Sequence, residues 1–319
     1  MKYFKKLLGA LFALALLSTL FVVWFQRQNI TDWLTLRNYQ PSAAVVELAD
    51  NTTMQGLGRR LFYINRPNIA TKAEFNEACS KESSIVLGCY ISGKGIYIYN
   101  VTDERLDGVK EVTAAHEMLH AAYERLSSSE RDRIDVLTKA AYAKVTNERI
   151  LQNVESYRKQ DPAIVPNELH SILATEVKDL PNELETYYKQ YFANRKSIVS
   201  YSDGYEKEFE KRNSQSIKIK TQLDRIKRDI QAKETSLRTE YQTIINLSSE
   251  LSNLRNSGQF TEYNSRVPIY NQKVSEYNAQ VRVVQADVDL YNSLVSKLES
   301  LQIEIKDLYQ KLDSRPQTL

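Results

Sequence analysis

The spacing of apolar residues changes several times along the 319-residue chain, and each spacing predicts a different kind of element. Residues 7–25 form an unbroken stretch without a charge. At about 1.5 Å per residue, this stretch is long enough for one membrane-spanning helix of roughly 28 Å. Its last residues, Val22-Val23-Trp24-Phe25, are bulky and lack the small residues of a signal-peptide cleavage site. The pattern therefore favours an uncleaved transmembrane anchor.

The charges around this segment predict its orientation. Lys2, Lys5 and Lys6 precede it and only Arg27 follows closely, so the positive-inside bias keeps residues 1–6 in the cytoplasm. We therefore expect a single-pass protein of the cell membrane, with the chain from about residue 26 onward outside the cytoplasm.

Two cysteines agree with an extracytoplasmic location. Cys79 and Cys89 flank a short loop, and an oxidising compartment allows them to form a disulfide bond. The alternative is a pair of small, buried free thiols.

After a connecting segment at 26–56, short runs rich in β-branched and aromatic residues predict strands. These runs are 61–64, 84–91 and 95–101. The last two are joined by Ser92-Gly93-Lys94-Gly95, whose glycines permit a tight turn, so we predict an antiparallel hairpin.

From residue 112 to 126 apolar residues recur at spacings of three and four, which is typical of an amphipathic helix. Ser129 and Asp132 resemble an N-terminal cap for a second helix. Prolines then separate shorter helical pieces, one of them at 167–178. We place the end of a globular domain, which begins at 57, near residue 200.

The remaining segment, 201–319, has a heptad pattern. Five valines lie seven residues apart, at positions 267, 274, 281, 288 and 295. A preceding apolar series runs from Ile219 to Leu251, and Asn256-Ser257-Gly258-Gln259 breaks the pattern between them. Two antiparallel helices in a coiled-coil hairpin explain this arrangement.

Composition supports a mostly helical α+β protein. Only 9 Gly and 7 Pro occur in 319 residues, too few turn formers for a many-stranded barrel or sandwich. The 43 basic and 40 acidic residues are spread along the chain, with no basic run that would neutralise a row of phosphates. The charge pattern thus argues against nucleic acid as a partner.

The predicted helix at 112–126 contains the motif His116-Glu117-Met118-Leu119-His120. Two histidines four residues apart on a helix point the same way and can bind one Zn²⁺. Glu117 would then lie beside the metal-bound water, where a carboxylate can act as general base in peptide-bond hydrolysis. The chain has only three histidines, so a chance match is improbable. The alternative is that both histidines belong to an ordinary helix.

A hydrolytic zinc site needs a third protein ligand. The metzincin pattern would continue with glycine and histidine where this chain has Tyr123 and Leu126, which excludes that class. The helix predicted at 167–178 supplies three candidates. In order of preference they are Glu176, Glu168 and His170.

The His-Glu-x-x-His helix resembles the active-site helix of zincin metallopeptidases, and a glutamate ligand on a later helix is similar to the gluzincin branch. The chain also resembles membrane-anchored bacterial proteins that combine a His-Glu-Met-Leu-His helix with an Asn-Glu-Leu-His-Ser segment. The resemblance implies a small zincin-like domain at 57–200, with zinc on His116 and His120 and a catalytic Glu117. One departure is Ile172, where gluzincins usually carry an aspartate.

The sequence therefore predicts a membrane-anchored, extracytoplasmic zinc metallopeptidase that acts on a protein or peptide substrate. Its hairpin is a candidate docking surface for a protein partner. An alternative from a different class is an envelope adaptor that binds partners through the hairpin without catalysis. A third possibility is a purely structural zinc.

Overall fold

The computed structural model describes Phe12, residues 16–79 and residues 86–315. The chain divides into two compact units, residues 1–207 with 311–319 and residues 208–310. The helices are α1 (Arg27–Leu36), α2 (Ala43–Asn51), α3 (Gly56–Ile64), α4 (Lys72–Ala78), α5 (Val109–Glu124), α6 (Ser128–Tyr142), α7 (Glu148–Gln160), α8 (Val165–Glu176), α9 (Asn182–Tyr188), α10 (Arg195–Asn256) and α11 (Phe260–Leu312). The strands are β1 (Asn68–Ala70), β2 (Gly88–Ile91) and β3 (Gly95–Tyr99). The prediction of a mostly helical protein with a small sheet is confirmed.

The sheet of the first unit has the order β1-β3-β2. The predicted antiparallel hairpin is confirmed, with Cys89 opposite Tyr97. β1 was not predicted, and it pairs with β3 in the parallel direction. β2 is therefore an edge strand. The predicted disulfide between Cys79 and Cys89 is present and connects the end of α4 to this edge strand.

Residues 61–64 lie in helix α3, so the predicted strand there is wrong. Gly58, Leu61 and Phe62 are buried at helical spacing, and a short apolar run fits a buried helix as well as a strand. Gly58 permits the close packing of α3, because a Cβ at this position would lie 2.3 Å from the carbonyl oxygen of Tyr191.

Helix α5 occupies the centre of the first unit and confirms the helix predicted at 112–126. It packs against helices α2, α3 and α8 and against strands β2 and β3. Ala114, Ala115, Met118 and Leu119 are almost completely buried. The two alanines let neighbouring elements approach closely, while each of the two larger side chains stabilises the fold by about 1.5–3 kcal/mol through burial.

The next helix, α6, begins two residues earlier than predicted. Ser127 accepts a hydrogen bond from the backbone of Glu130, whose side chain in turn accepts one from the Ser127 backbone. This capping box replaces the predicted cap at Ser129 and Asp132. A serine followed three residues later by glutamate satisfies two backbone donors at once, which the Ser–Asp pair would not do as well.

The second unit contains most of α10 and α11, which run antiparallel and are joined by a turn at residues 257–259. Salt bridges connect Lys233 to Asp287 and Glu250 to Arg266. The apolar seam contains buried Ile219, Leu223 and Leu301. Tyr241 and Val281 belong to the predicted heptads but are 53% and 39% exposed, so the seam does not follow every predicted heptad position.

Of the predicted span at 7–25, residues 7–11 and 13–15 lie outside the described residues. Residues 16–25 are helical and their side chains are exposed. Among the described helices, none has the length and apolar character needed to cross a bilayer.

Candidate metal centre

His116 and His120 lie one turn apart on α5, and their rings are neighbours, with centroids 4.7 Å apart. Their side chains are 16% and 13% exposed. Most other residues of α5 are buried in the core, so the sequence of this helix leaves the two imidazoles on its one accessible side.

Glu168, at the beginning of α8, completes a cluster with these histidines. Its Oε2 lies 3.4 Å from Nε2 of His116, and its Oε1 lies 3.6 Å from Nε2 of His120. One donor atom from each of the three side chains lies within 4.8 Å of the others. The two elements that meet here, α5 and α8, are packed together along the core of the unit.

The electrostatics of Glu168 suit a cation. Burial raises the pKa of the Glu168 carboxyl, but the neighbouring imidazoles His116 and His120 outweigh it, so the pKa lies below its usual value. Oε2 is buried and has no hydrogen bond of good geometry to any described residue. A buried, ionised oxygen in this state needs a positive partner. Two imidazoles and one carboxylate are also a donor set of catalytic zinc sites, so these residues fit Zn²⁺.

Asn167 orients one of the histidines. Its Oδ1 lies 3.0 Å from Nδ1 of His120, with Ser171 Oγ at 3.5 Å from the same nitrogen. When Nδ1 donates its proton to this oxygen, Nε2 carries a lone pair directed toward Glu168, which is the form of histidine that binds metals. The sequence pattern assigned no role to Asn167. Its position immediately before Glu168 was the available signal.

The structure does not bring Glu176, the preferred third ligand, to the histidines. Its carboxylate lies 2.6 Å from a guanidinium nitrogen of Arg149, which also pairs with Glu206. Glu168 and Glu176 are eight positions apart, about 12 Å along the axis of α8. A carboxylate two turns away cannot share an ion with Glu168, and Arg149 is the ionic partner of the half-buried Glu176.

His170, the third candidate, is also outside the cluster. It is completely buried, and its Nε2 forms a hydrogen bond with the hydroxyl of Tyr187 at 2.9 Å. Burial lowers the pKa of His170 to about 3, so this imidazole is neutral. Two residues correspond to about 200° around a helix, which places His170 on the side of α8 opposite Glu168.

Glu117 lines a cleft of about 370 Å³ together with His116, His120 and Glu168. Residues 86–90, which include the beginning of β2, form one wall, and residues of α7 form another. Gly88 lies directly against Glu117, because a Cβ on Gly88 would be 2.7 Å from Oε1 of Glu117. The structure thus places a carboxylate, a three-donor cluster and an edge strand around one cleft.

Comparison of the chain with models of protein families, with curated proteins and with solved structures found no match to any of them.

Proposed function

We propose that the protein is a membrane-anchored, extracytoplasmic zinc metallopeptidase. The observation that carries this proposal is the meeting of Glu168 with His116 and His120 in a cleft that Glu117 also lines. Three protein donors would leave a position on a bound Zn²⁺ for water or substrate, as a catalytic site requires.

The chemistry follows from the residues around the cleft. Zn²⁺ held by His116, His120 and Glu168 would act as a Lewis acid and make water nucleophilic at neutral pH. Glu117 accepts the proton of the attacking water and returns it to the amine that leaves. This role requires a carboxylate at the cleft and within the same helical turn as the two histidines, which is where Glu117 lies.

Strand β2 is suited to bind the peptide. One of its sides pairs with β3, and no described strand pairs with the other. An extended peptide can add to such an edge by backbone hydrogen bonds, with little dependence on its side chains. The contact between Gly88 and Glu117 would hold a peptide bound at this edge close to the general base.

The proposed location rests on the apolar segment 7–25 and on the lysines that precede it. The Cys79–Cys89 disulfide supports it, because such bonds persist mainly in oxidising compartments.

The second candidate function is an envelope adaptor without catalysis. It is favoured by the exposed apolar side chains on the two-helix unit, among them Ile217, Ile269 and Ile303. Such residues on a helical surface are suited to pack against a partner helix. In that case a metal at the histidine cluster would be structural.

Two measurements on the purified full chain distinguish these functions. Metal analysis should find one zinc per chain in the wild type, and little in His116→Ala or Glu168→Gln. Glu117→Gln should retain zinc but hydrolyse peptides about 10²-fold more slowly or worse, because an amide is not a base. Glu183→Gln, at an exposed position on α9, is the matched control and should behave like the wild type. Normal hydrolysis by Glu117→Gln would refute the catalytic assignment, and a chain without zinc would refute the metallopeptidase.

A further inference from the structure

Helix α1 has an unusual distribution of side chains, with its apolar residues directed outward. Ile30, Trp33 and Leu34 are 40%, 60% and 56% exposed. They follow a spacing of three and four, so they form one continuous face. Exposed aromatic and aliphatic residues in a contiguous group mark an interaction surface more often than scattered ones do.

The opposite side of α1 is fixed to the protein by a buried charge. Asp32 is only 4% exposed and receives hydrogen bonds from both terminal nitrogens of Arg125, at 2.8 and 3.0 Å. Arg60 contributes a third nitrogen at 3.8 Å. Rotating α1 to bury its apolar face would remove Asp32 from these partners and leave their charges uncompensated, which is costly. The outward direction of the apolar face is therefore built into the fold.

The charge on this face indicates what it contacts. Asp32 is the only acidic residue in α1, and it is directed inward. Arg27 and Arg37 lie at the two ends of the outward face, and both are exposed. Apolar residues flanked by arginines fit a lipid surface, where the apolar side chains reach the acyl chains and the guanidinium groups bind phosphates.

Two tryptophan–arginine pairs also favour a lipid surface as the contact of α1. The guanidinium of Arg37 lies 5.6 Å from the Trp33 ring, and that of Arg27 lies 5.9 Å from the Trp24 ring. Tryptophan and arginine are enriched at the boundary between hydrocarbon and water. The pair at Trp24 is at the end of the apolar segment 7–25, and α1 begins only two residues after that segment.

We infer that the face formed by Ile30, Trp33 and Leu34 binds the surface of the lipid bilayer and holds the first unit against the membrane. This inference rests on the membrane anchorage in the proposed function. Trp33 lies nine positions after Trp24, about 13 Å along a helix and more than the depth of one headgroup layer, so this contact requires α1 to run obliquely along the surface. Gln26 lies between the apolar segment and α1 and departs from helical geometry, with φ −93° and ψ 4°. In the inferred arrangement, the chain changes direction at this residue.

Tryptophan fluorescence tests this inference, because the chain contains only two tryptophans. Trp24→Phe leaves Trp33 as the single tryptophan of the full chain, and excitation at about 295 nm avoids the 20 tyrosines. The protein is reconstituted into vesicles of phosphatidylcholine and phosphatidylglycerol, with and without lipids brominated on the acyl chains. We expect brominated lipids to quench Trp33 to the same extent as they quench Trp24 in Trp33→Phe.

A matched control places a tryptophan elsewhere on the surface. Val136 on α6 is 68% exposed, and a tryptophan introduced there in the Trp24→Phe, Trp33→Phe background should not be quenched by brominated lipids. Flotation of the same vesicles tests the membrane anchorage separately from the contact of the α1 face with lipid. A chain that does not float with lipid refutes both the anchorage and the inference. A chain that floats, with Trp33 unquenched by lipid, refutes the inference alone, and protection of that Trp33 from aqueous iodide would then identify a protein contact at this face.

Discussion

The side-chain oxygen of Asn167 lies 3.0 Å from Nδ1 of His120, on the side of the imidazole away from Glu168. Asn167 and Glu168 are adjacent in sequence, so the first turn of α8 supplies both the third donor of the cluster and the group that orients the second histidine. Packing of α8 against α5 is what brings a helix terminus to the middle of another helix.

Asn167→Ala should weaken zinc binding by about 10- to 100-fold, because the tautomer and orientation of His120 are no longer fixed. Competition with a chromophoric chelator measures this affinity. Asn167→Asp retains an oxygen at the same position and should bind zinc at least as tightly as the wild type. Equal affinities in all three proteins would show that Asn167 does not support the metal site.

Gly88→Ala should reduce catalysis without changing zinc content. An added Cβ would lie 2.7 Å from Cγ and Oε1 of Glu117 and 2.5 Å from Cγ2 of Thr113, so the carboxylate or strand β2 must move. A misplacement of about 1 Å in a catalytic group can cost about 10²-fold in rate. Kinetics with a short peptide should therefore show a lower kcat beside an unchanged metal stoichiometry.

Gly204→Ala is the matched control for this substitution, because a Cβ at Gly204 meets no described atom within 4 Å beyond its chain neighbours and the nearby backbone of its own helix. It should leave kcat unchanged. If Gly88→Ala retains the wild-type kcat, Glu117 is not constrained by β2, and contact with this strand is not needed for its catalytic role.

The sequence was sufficient for the helix that carries His116 and His120, because the histidine spacing and the apolar periodicity indicate the same face of the same helix. It was not sufficient to choose between Glu168 and Glu176. Glu176 lies in the apolar stretch Ile172-Leu173-Ala174-Thr175-Glu176-Val177, where an expected burial favoured it as a ligand. Burial alone does not distinguish a metal ligand from the partner of Arg149, which is distant in sequence. Only the tertiary contact between α5 and α8 resolves this choice.

The wrong strand at 61–64 and the missed strand β1 also depend on contacts between residues that are distant in sequence. The run at 61–64 is too short to reveal its own periodicity, and its conformation depends on the contact between Gly58 and Tyr191, which are far apart in sequence. Strand β1, with three residues, depends on its parallel partner β3. The β2–β3 hairpin was predictable because its glycine-containing turn and its two apolar runs are contiguous.

Cys79 and Cys89 should be oxidised in protein taken from the native membrane, in accordance with the disulfide in the structure. A thiol reagent should therefore label the chain only after reduction. Closing a loop of this length restricts the unfolded chain, so the double substitution to serine should lower the free energy of unfolding by about 2–3 kcal/mol in urea denaturation. Full labelling without reduction would contradict the predicted extracytoplasmic location.

The two-helix unit should be dispensable for the cleavage of short peptides, provided that the first unit keeps all of its own residues. Truncation after Ser200 does not meet this condition. It removes Glu206, which pairs with Arg149, and it removes the terminal segment at 313–315. In that segment the backbone oxygens of Asp313 and Ser314 accept hydrogen bonds from α4, and the Ser314 hydroxyl donates one of 2.6 Å to the carbonyl oxygen of Val86 at the cleft.

An internal deletion meets the condition. Within the second unit, Arg212 Nε lies 2.9 Å from Glu304 Oε2, so a short glycine–serine loop can replace residues 214–302 and still join the two helices. We expect this variant to keep its zinc and its activity on a short peptide. It should process its native protein substrate in the membrane less efficiently, because we propose that the removed surface binds a partner or positions the substrate. Truncation after Ser200 should lose peptide cleavage. If the internal deletion folds by circular dichroism but loses zinc and peptide cleavage together, the two-helix unit is part of the catalytic fold.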